Sequence, residues 1–170
     1  MILDGLLQFS SAQAVTATAD STNVIDLGLT GLPTSTNGGG ARDIGIGDDP
    51  AMKVLVIVTT AFLTLTSLQV LFRGAPDNGS GAEGSYTTMV SGPVVALAQL
   101  VVGARLLDID VPRPAPNEAL PRFLKLNYTV GGSNATAGAV SSYLVLDRHD
   151  LPEQSNATLG GYPAGITVVN

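Results

Sequence analysis

The chain contains no cysteine and no tryptophan, and it has one histidine in 170 residues. Without cysteine it cannot form a disulfide, a thiol nucleophile or a thiolate metal site. Its stability must therefore come from packing or from assembly with other subunits. The absence of cysteine also fits a protein that is made inside a cell.

Charged residues are scarce as well. They make up 13% of the chain against 45% for apolar residues, so Ser, Thr, Asn and Gly must cover much of the surface. A surface with little charge is typical of proteins that lie packed against others. The formal net charge is −6, with 14 acidic and 8 basic residues, and the basic residues form no cluster. This charge distribution argues against nucleic acid as a partner.

One long run without charge, residues 54–72, has the length of a membrane-spanning helix. Its composition argues against that interpretation, because many of its residues are β-branched and Thr64-Leu65-Thr66 alternates polar and apolar side chains. We predict two strands joined near Ala61-Phe62, and no membrane segment. The start of the chain, Met1–Ser10, has no basic residue and does not resemble a secretion signal.

Residues that could carry chemistry occur at three places. Asp108 and Asp110 lie two apart on a predicted strand, so their carboxylates share a face, which is also the ordinary pattern of a solvent-facing strand. The aspartates of segment 41–49 lack the spacing of an EF-hand calcium loop. His149 could act in a catalytic triad only with a nucleophile, and the chain contains no nucleophile motif. The sequence therefore predicts a protein without enzymatic activity, cofactor or metal site.

Four segments have the period-two or β-branched apolar pattern of strands, and no segment has a comparable helical pattern. They are 52–60, 104–111, 122–130 and 137–147. Connections rich in glycine and proline separate them, and weaker segments raise the total to about eight strands. We predict an all-β fold, a jelly-roll-like antiparallel β-sandwich with long loops. The whole chain, 1–170, is expected to form one domain, with an N-terminal arm at 1–12 and a C-terminal arm at 148–170.

Weaker segments complete the predicted sandwich. Residues 14–19 and 23–27 are expected to form edge strands joined by a polar turn at 19–22, and residues 86–91 a further strand. Residues 93–103 fit a short helix or a strand-like segment, and we expect an irregular crossing there.

The opening segment Met1–Gly28 is followed by Ala41–Asp48, Phe123–Val130, Ala137–Val140 and Leu144–Asp147. In their order along the chain and in their general residue pattern, these segments resemble the capsid cement proteins of tailed bacteriophages, and in particular the Bordetella phage cement protein family. The likeness weakens over 29–40, over the proline-rich loop and after Asp147. The resemblance implies a jelly-roll protein that sits outside an icosahedral shell, bridges neighbouring major capsid proteins and performs no reaction.

Residues of the two apolar arms and of the glycine-rich loop, all outside the strand pattern, are the expected contacts with the shell. They are Ile2, Leu3 and Phe9 in the N-terminal arm, Arg42, Asp43 and Ile44 in the glycine-rich loop, and Ile166 and Val168 near the C-terminus.

The resemblance also implies the partners and the location. The expected partners are the major capsid protein and other copies of this chain, as a homodimer or a trimer, and neither nucleic acid nor a membrane. The expected location is the outer surface of the virion capsid, after synthesis in the host cytoplasm. A carbohydrate-binding β-sandwich is the alternative, although such modules usually offer aromatic platforms and only 5% of these residues are aromatic. An enzyme built on Asp108 and Asp110 is a third possibility that the sequence leaves open.

Overall fold

The structure is a computed structural model, and it describes residues 5–28, 52–112 and 121–145. These residues contain two short 3-10 turns, Gly5–Leu7 and Leu97–Gln99, and no α-helix. The strands are β1 Gln8–Ala14, β2 Ala19–Asp20, β3 Ile25–Asp26, β4 Lys53–Leu63, β5 Ser67–Ala75, β6 Thr87–Ala96, β7 Arg105–Asp110, β8 Phe123–Gly131 and β9 Ala137–Val145. The all-β prediction is confirmed.

The strands form two antiparallel sheets. Sheet A has the order β1-β9-β4-β7, and sheet B has the order β2-β8-β5-β6, with β3 also paired to β8. Because β2 and β3 are two short pieces along the same side of β8, they act as one interrupted edge strand. Every connection except β2 to β3 and β5 to β6 passes from one sheet to the other, and this strand order is that of a jelly roll.

Alternation along the strands places the core between the two sheets. In β5, Leu68, Val70 and Phe72 are almost fully buried, while the residues between them are partly exposed. Across the gap, the ring of Phe9 in β1 meets Phe72 edge to face, with centroids 6.2 Å apart. Aromatic pairs favour this geometry, which adds to the burial of both rings.

Tyr128 links the two sheets by hydrogen bonds inside this core. Its hydroxyl, on β8 of sheet B, lies 2.8 Å from the hydroxyls of Ser10 and Ser142, both on sheet A. Ser10 donates its one proton to Gln13 Oε1 at 2.6 Å, so Tyr128 must donate to Ser10 and accept from Ser142. Burial raises the pKa of the Tyr128 phenol above its usual value.

Tyr128→Phe should lower the free energy of unfolding by about 1–2 kcal/mol, because Ser10 and Ser142 lose a buried partner. The raised pKa adds a pH dependence. A phenol that ionises less readily in the folded state stabilises the fold below its unfolded-state pKa, and this contribution is lost as the pH rises further. Urea unfolding from pH 7 to pH 11 should show that the difference between wild type and variant shrinks at high pH. An unchanged difference would contradict this account.

The stronger sequence predictions correspond closely to strands. The run 54–72 forms β4 and β5, and the turn between them falls at 64–66, slightly later than predicted. Among the described residues no helix is long and apolar enough to cross a membrane. The predicted strands at 104–111, 122–130 and 137–147 match β7, β8 and the described part of β9.

Three predictions at the weaker segments are wrong. The first strand is 8–14, not 14–19, because Phe9 and Ser10 are buried against β9 and residues 8–14 pair with it. Ala19–Asp20, predicted as part of a turn, is strand β2 paired to β8. Residues 93–96 continue β6 instead of crossing irregularly, since Val94 to Ala96 pair with β5.

Candidate functional site

The sandwich has two different ends. At one end, here called the turn end, lie the connections 15–18, 64–66, 97–104 and 132–136. Backbone bonds join these connections to one another: Leu97 N donates to Thr66 O at 3.1 Å, and Ala135 N donates to Thr16 O at 2.8 Å. The turn end is therefore a tightly connected surface.

The opposite end, here called the open end, holds the described connection 76–86. It is also where the described chain stops at Gly28 and Pro112, resumes at Met52 and Pro121, and ends at Val145. The start of β1 lies there too, since Gln8 is paired with Tyr143.

Of the predicted contact residues, only Phe9 is described. Ile2, Leu3, Arg42, Asp43, Ile44, Ile166 and Val168 lie outside the described residues, as do His149 and the aspartates of segment 41–49. The described residues that adjoin these segments all lie at the open end.

Phe9 itself is not part of an arm. It is fully buried in β1, and its carbonyl oxygen accepts a hydrogen bond from Asn23 N at 2.9 Å. Residues 8–12, assigned to the arm from the sequence, belong to β1, which pairs with β9 in sheet A. The predicted arm is corrected accordingly, because a side chain buried between two sheets cannot also form a surface contact.

A charged clamp organises the open end around Arg122, at the start of β8. Its guanidinium donates two bonds to the Asp26 carboxylate, at 2.8 and 3.0 Å, and a further bond to Asp77. Its backbone adds two more, since Arg122 N donates to Ala75 O and Leu27 N donates to Arg122 O. One residue thus holds together the end of β3, the end of β5 and the connection 76–86.

Asp77 completes the clamp by shaping that connection. Its Oδ1 accepts hydrogen bonds from Gly79 N at 2.6 Å and Gly81 N at 3.0 Å. These backbone bonds, from Gly81 and Gly79, and the neighbouring Arg122 hold the pKa of Asp77 below its usual 3.8. The carboxylate therefore favours the folded connection only while it is ionised.

Acid should weaken this clamp. A carboxyl whose pKa is lowered on folding stabilises the protein above its unfolded-state pKa, and that contribution is lost as the pH falls through the folded value. The stability difference between wild type and Asp77→Asn should thus be largest near neutral pH and shrink below about pH 4. Thermal unfolding of both proteins from pH 7 to pH 2.5 measures this stability difference. A difference that stays constant over this range would contradict the assignment.

A second charged cluster lies on the outer face of sheet B. Asp20 accepts hydrogen bonds from Asn127 Nδ2 and from Lys125 Nζ, each at 2.7 Å, and lies 3.8 Å from Arg73. Burial alone would raise the pKa of Asp20, but the bonds from Asn127 and Lys125 and the two cations outweigh it and lower the pKa. Lys125 Nζ also lies 3.8 Å from the centroid of the Tyr86 ring. The ring is therefore occupied by a cation and is not an open platform for a sugar.

Each aspartate of the pair in β7 has a cationic partner. Asp108 and Asp110 lie on one face, as predicted, at the outer side of sheet A opposite Leu55 and Lys53. Asp110 is ion-paired with Lys53, and Asp108 lies 3.3 Å from Arg105. Within the described ranges no group of three acidic, histidine or cysteine side chains could hold a metal ion.

A surface that the sequence analysis did not identify involves β6 and the segment that follows it. The most exposed large apolar side chains of the described chain are Leu6, Leu63, Val94, Val101 and Val102. Three of these five lie between residues 94 and 102. The signal was visible in the sequence, since no charged residue occurs between Glu83 and Arg105.

Comparison with protein-family models gives a match over most of the chain. The model of the Bbp16 family, named for a Bordetella phage protein, matches residues 9–144. The chain belongs to the Bbp16 family. The match begins within β1 and ends within β9, so the family region coincides with the jelly roll. A search of curated proteins finds no match.

Membership of the Bbp16 family points to a phage protein associated with the virion. The matched region includes the clamp, the charged cluster on sheet B and β6, as well as the segment Arg42, Asp43 and Ile44. The predicted contacts Ile2, Leu3, Ile166 and Val168 lie outside it. Features common to the family are therefore to be sought in the sandwich and its connections more than in the two termini.

Proposed function

We propose that this protein is a capsid cement protein, which binds the outer surface of an icosahedral phage head and bridges neighbouring major capsid proteins. The observation that carries the proposal is the match of the whole jelly roll to a Bordetella phage family. The role is mechanical, without a reaction, a cofactor or a metal ion. Binding takes place on the virion, outside the shell and away from the genome.

The physical basis is linkage between binding and assembly. Packed DNA pushes outward on the shell, so the assembled state must be favoured over separated subunits. A protein that binds the assembled shell, and not the separated subunits, stabilises the shell by the free energy of that binding. A rigid sandwich with connected turns suits this task, because little conformational freedom is lost on binding.

The surface chemistry of the described chain supports the same role. Its charges largely neutralise one another in pairs, as in the Arg122 clamp and the cluster around Asp20. Large apolar side chains such as Val94 and Val102 are 65% exposed. Surfaces of this kind are typical of proteins that act in a permanent assembly, since apolar side chains gain most from being covered.

The open end is the proposed site of the terminal contacts. The described residues nearest in sequence to Ile2 and Leu3, to Arg42–Ile44, and to Ile166 and Val168 all lie at this end. The major capsid protein is the proposed partner, and a homodimer or trimer of this chain is the proposed form on the shell.

Co-sedimentation with expanded, cement-free capsids of the same phage tests the proposal. We expect saturable binding, with a fixed number of copies per shell, and raised resistance of the shell to heat. The double variants Ile2→Ala/Leu3→Ala and Ile166→Ala/Val168→Ala should bind more weakly, while Thr16→Ala, at an exposed position of the turn end, serves as a control. Folded wild-type protein that stays in the supernatant would refute the cement role.

A further inference from the structure

The connection 76–86 contains an asparagine followed by a glycine, Asn78-Gly79. In such a pair the main-chain nitrogen of the glycine can attack the side-chain amide of the asparagine, because glycine has no side chain to hinder the approach. The other asparagines of the described chain, Asn23, Asn127 and Asn134, are followed by valine, tyrosine and alanine. Asn78 is therefore the described asparagine whose neighbour obstructs this reaction least.

The pair lies at the open end, on the surface of the connection that the Arg122 clamp holds. Asn78, Gly79 and Ser80 are all exposed, so water reaches the side-chain amide. A methyl group built on Gly79 would meet no atom within 4 Å, which shows that the space beside this residue is open. The rest of the molecule thus places no steric barrier in front of the two reacting groups.

Hydrogen bonds, however, hold both reacting groups in the folded connection. Gly79 N donates to Asp77 Oδ1 at 2.6 Å, so its proton is bound to a carboxylate. Asn78 Oδ1 accepts bonds from Ser80 N at 2.9 Å and Ser80 Oγ at 2.7 Å, and Asn78 N donates to Ala82 O at 3.0 Å. For a ring to close, Cγ of Asn78 must approach Gly79 N to bonding distance. The side chain and the main chain must therefore both leave this arrangement.

The charge of Asp77 opposes the reaction more directly. Gly79 N becomes a nucleophile only as it loses its proton, and the negative charge that develops would lie beside the Asp77 carboxylate. Arg122 keeps this carboxylate in place, because its guanidinium donates to the other oxygen, Asp77 Oδ2. The clamp that shapes the connection thus also lowers the reactivity of the Gly79 nitrogen.

We propose that Asn78 is a site of spontaneous deamidation, and that Asp77 restrains the reaction by holding the N–H of Gly79. In the reaction Gly79 N forms a bond to Asn78 Cγ, the Cγ–Nδ2 bond breaks, and the leaving nitrogen takes up the proton of Gly79 and departs as ammonia. Water then adds to the cyclic imide and opens it at either carbonyl carbon, which leaves aspartate or isoaspartate at position 78. The reaction needs water alone and does not depend on the proposed cement function.

The two products should affect the connection differently. An aspartate at position 78 keeps an oxygen where Asn78 Oδ1 accepts its bonds, so the connection retains its shape. Isoaspartate adds a carbon atom to the main chain between Asp77 and Gly79. This shifts Gly79 N and Gly81 N relative to Asp77 Oδ1, which accepts a bond from each of them. Formation of isoaspartate therefore loosens the clamp.

Ageing of the purified full-length protein tests the proposal. Wild type and Asp77→Ala are incubated in mildly alkaline buffer while folded, and peptide mass spectrometry follows the gain of about one mass unit at Asn78. We expect Asp77→Ala to react faster than wild type by about tenfold or more, because a hydrogen bond to a charged acceptor is lost. Wild type unfolded in urea should also react faster than folded wild type. Asn37-Gly38, the second such pair in the chain, is the reference in urea, where both pairs should react alike.

Three further variants separate the role of Asp77 from general effects. Asp77→Asn keeps an acceptor oxygen without the charge, so its rate should lie between those of wild type and Asp77→Ala. Asp110→Ala removes another ion-paired carboxylate, the partner of Lys53, and should react like wild type. Tyr128→Phe weakens the core without touching the connection, and it should also react like wild type. It therefore detects any reaction that proceeds through global unfolding.

Equal rates in folded wild type and in both Asp77 variants would overturn the restraint by Asp77. A slower reaction in Asp77→Ala would overturn it too, since the carboxylate would then act as a base for Gly79 N. Acceleration of Tyr128→Phe to the same extent as Asp77→Ala would assign the effect to unfolding instead. An Asn78 that stays intact in urea while Asn37 reacts would overturn the site itself.

Discussion

Gly138→Ala should lower the free energy of unfolding by about 3–5 kcal/mol, the sum of a steric and a backbone effect. A methyl group built on Gly138 would lie 2.1 Å from Cδ1 of Phe62 and 2.5 Å from two further atoms of the ring. Phe62 is 3% exposed, so the ring cannot move aside into solvent. Gly138 also has a φ of 143°, which residues with a side chain rarely adopt. Urea unfolding should show a lower midpoint with an unchanged slope.

Gly103→Ala provides the matched control. Gly103 has a φ of 85°, but an added methyl group would meet no atom within 4 Å. Gly103→Ala should therefore lower the free energy of unfolding by the backbone effect alone, about 1–2 kcal/mol. In a Phe62→Ala background the steric part should disappear, so Gly138→Ala should cost less there than in the wild type. Equal costs at positions 138 and 103 would contradict the steric explanation.

Much of the fold could be predicted because the central strands are strongly patterned. β4, β5, β8 and β9 are rich in β-branched and alternating apolar residues, so each could be recognised without its neighbours. The order of the strands within the sheets, by contrast, could not be predicted from local patterns. It depends on which faces meet across the core, for example the ring of Phe9 against that of Phe72, and no local pattern encodes such a pair.

The turn between β4 and β5 shows why boundaries were less accurate. It was predicted near Ala61-Phe62, where the run of apolar side chains could be divided. The chain instead turns at Thr64, which adopts a φ of 73° without being glycine. Its hydroxyl bonds to the carbonyl of Asn134 at 3.0 Å, a distant residue. A turn stabilised by a tertiary contact leaves no glycine or proline signal in the sequence.

The candidate site was less predictable than the fold. Sequence reasoning placed the contacts in the termini and in the loop around Arg42, because apolar residues outside strands stand out. Phe9 was misassigned for that reason. The edge of β6 was missed, although its lack of charge was visible, because residues 93–103 were predicted to form an irregular crossing and not the continuation of an edge strand. The arrangement of β6 at an edge depends on the strand order, which the sequence does not specify locally.

The misassignment of Phe9 leads to a second large expected effect. Phe9→Ala should lower the free energy of unfolding by about 3–5 kcal/mol, the usual cost of removing a buried aromatic ring. Phe9 is fully buried and packs edge to face on Phe72, with ring centroids 6.2 Å apart. Leu6→Ala is the control, since Leu6 precedes β1 and is 65% exposed. It should change stability by no more than about 0.5 kcal/mol.

Binding measurements then separate a core residue from a contact residue. If Phe9 acts only in the core, Phe9→Ala should bind expanded capsids with wild-type affinity at temperatures where it remains folded. The apparent affinity of Phe9→Ala should fall only as the unfolded fraction grows, because unfolded chains do not bind the shell. If Phe9 were a contact, affinity would be lost even in the fully folded variant. A loss of that kind at low temperature, with an intact near-ultraviolet circular dichroism spectrum, would contradict the buried position of Phe9 in β1.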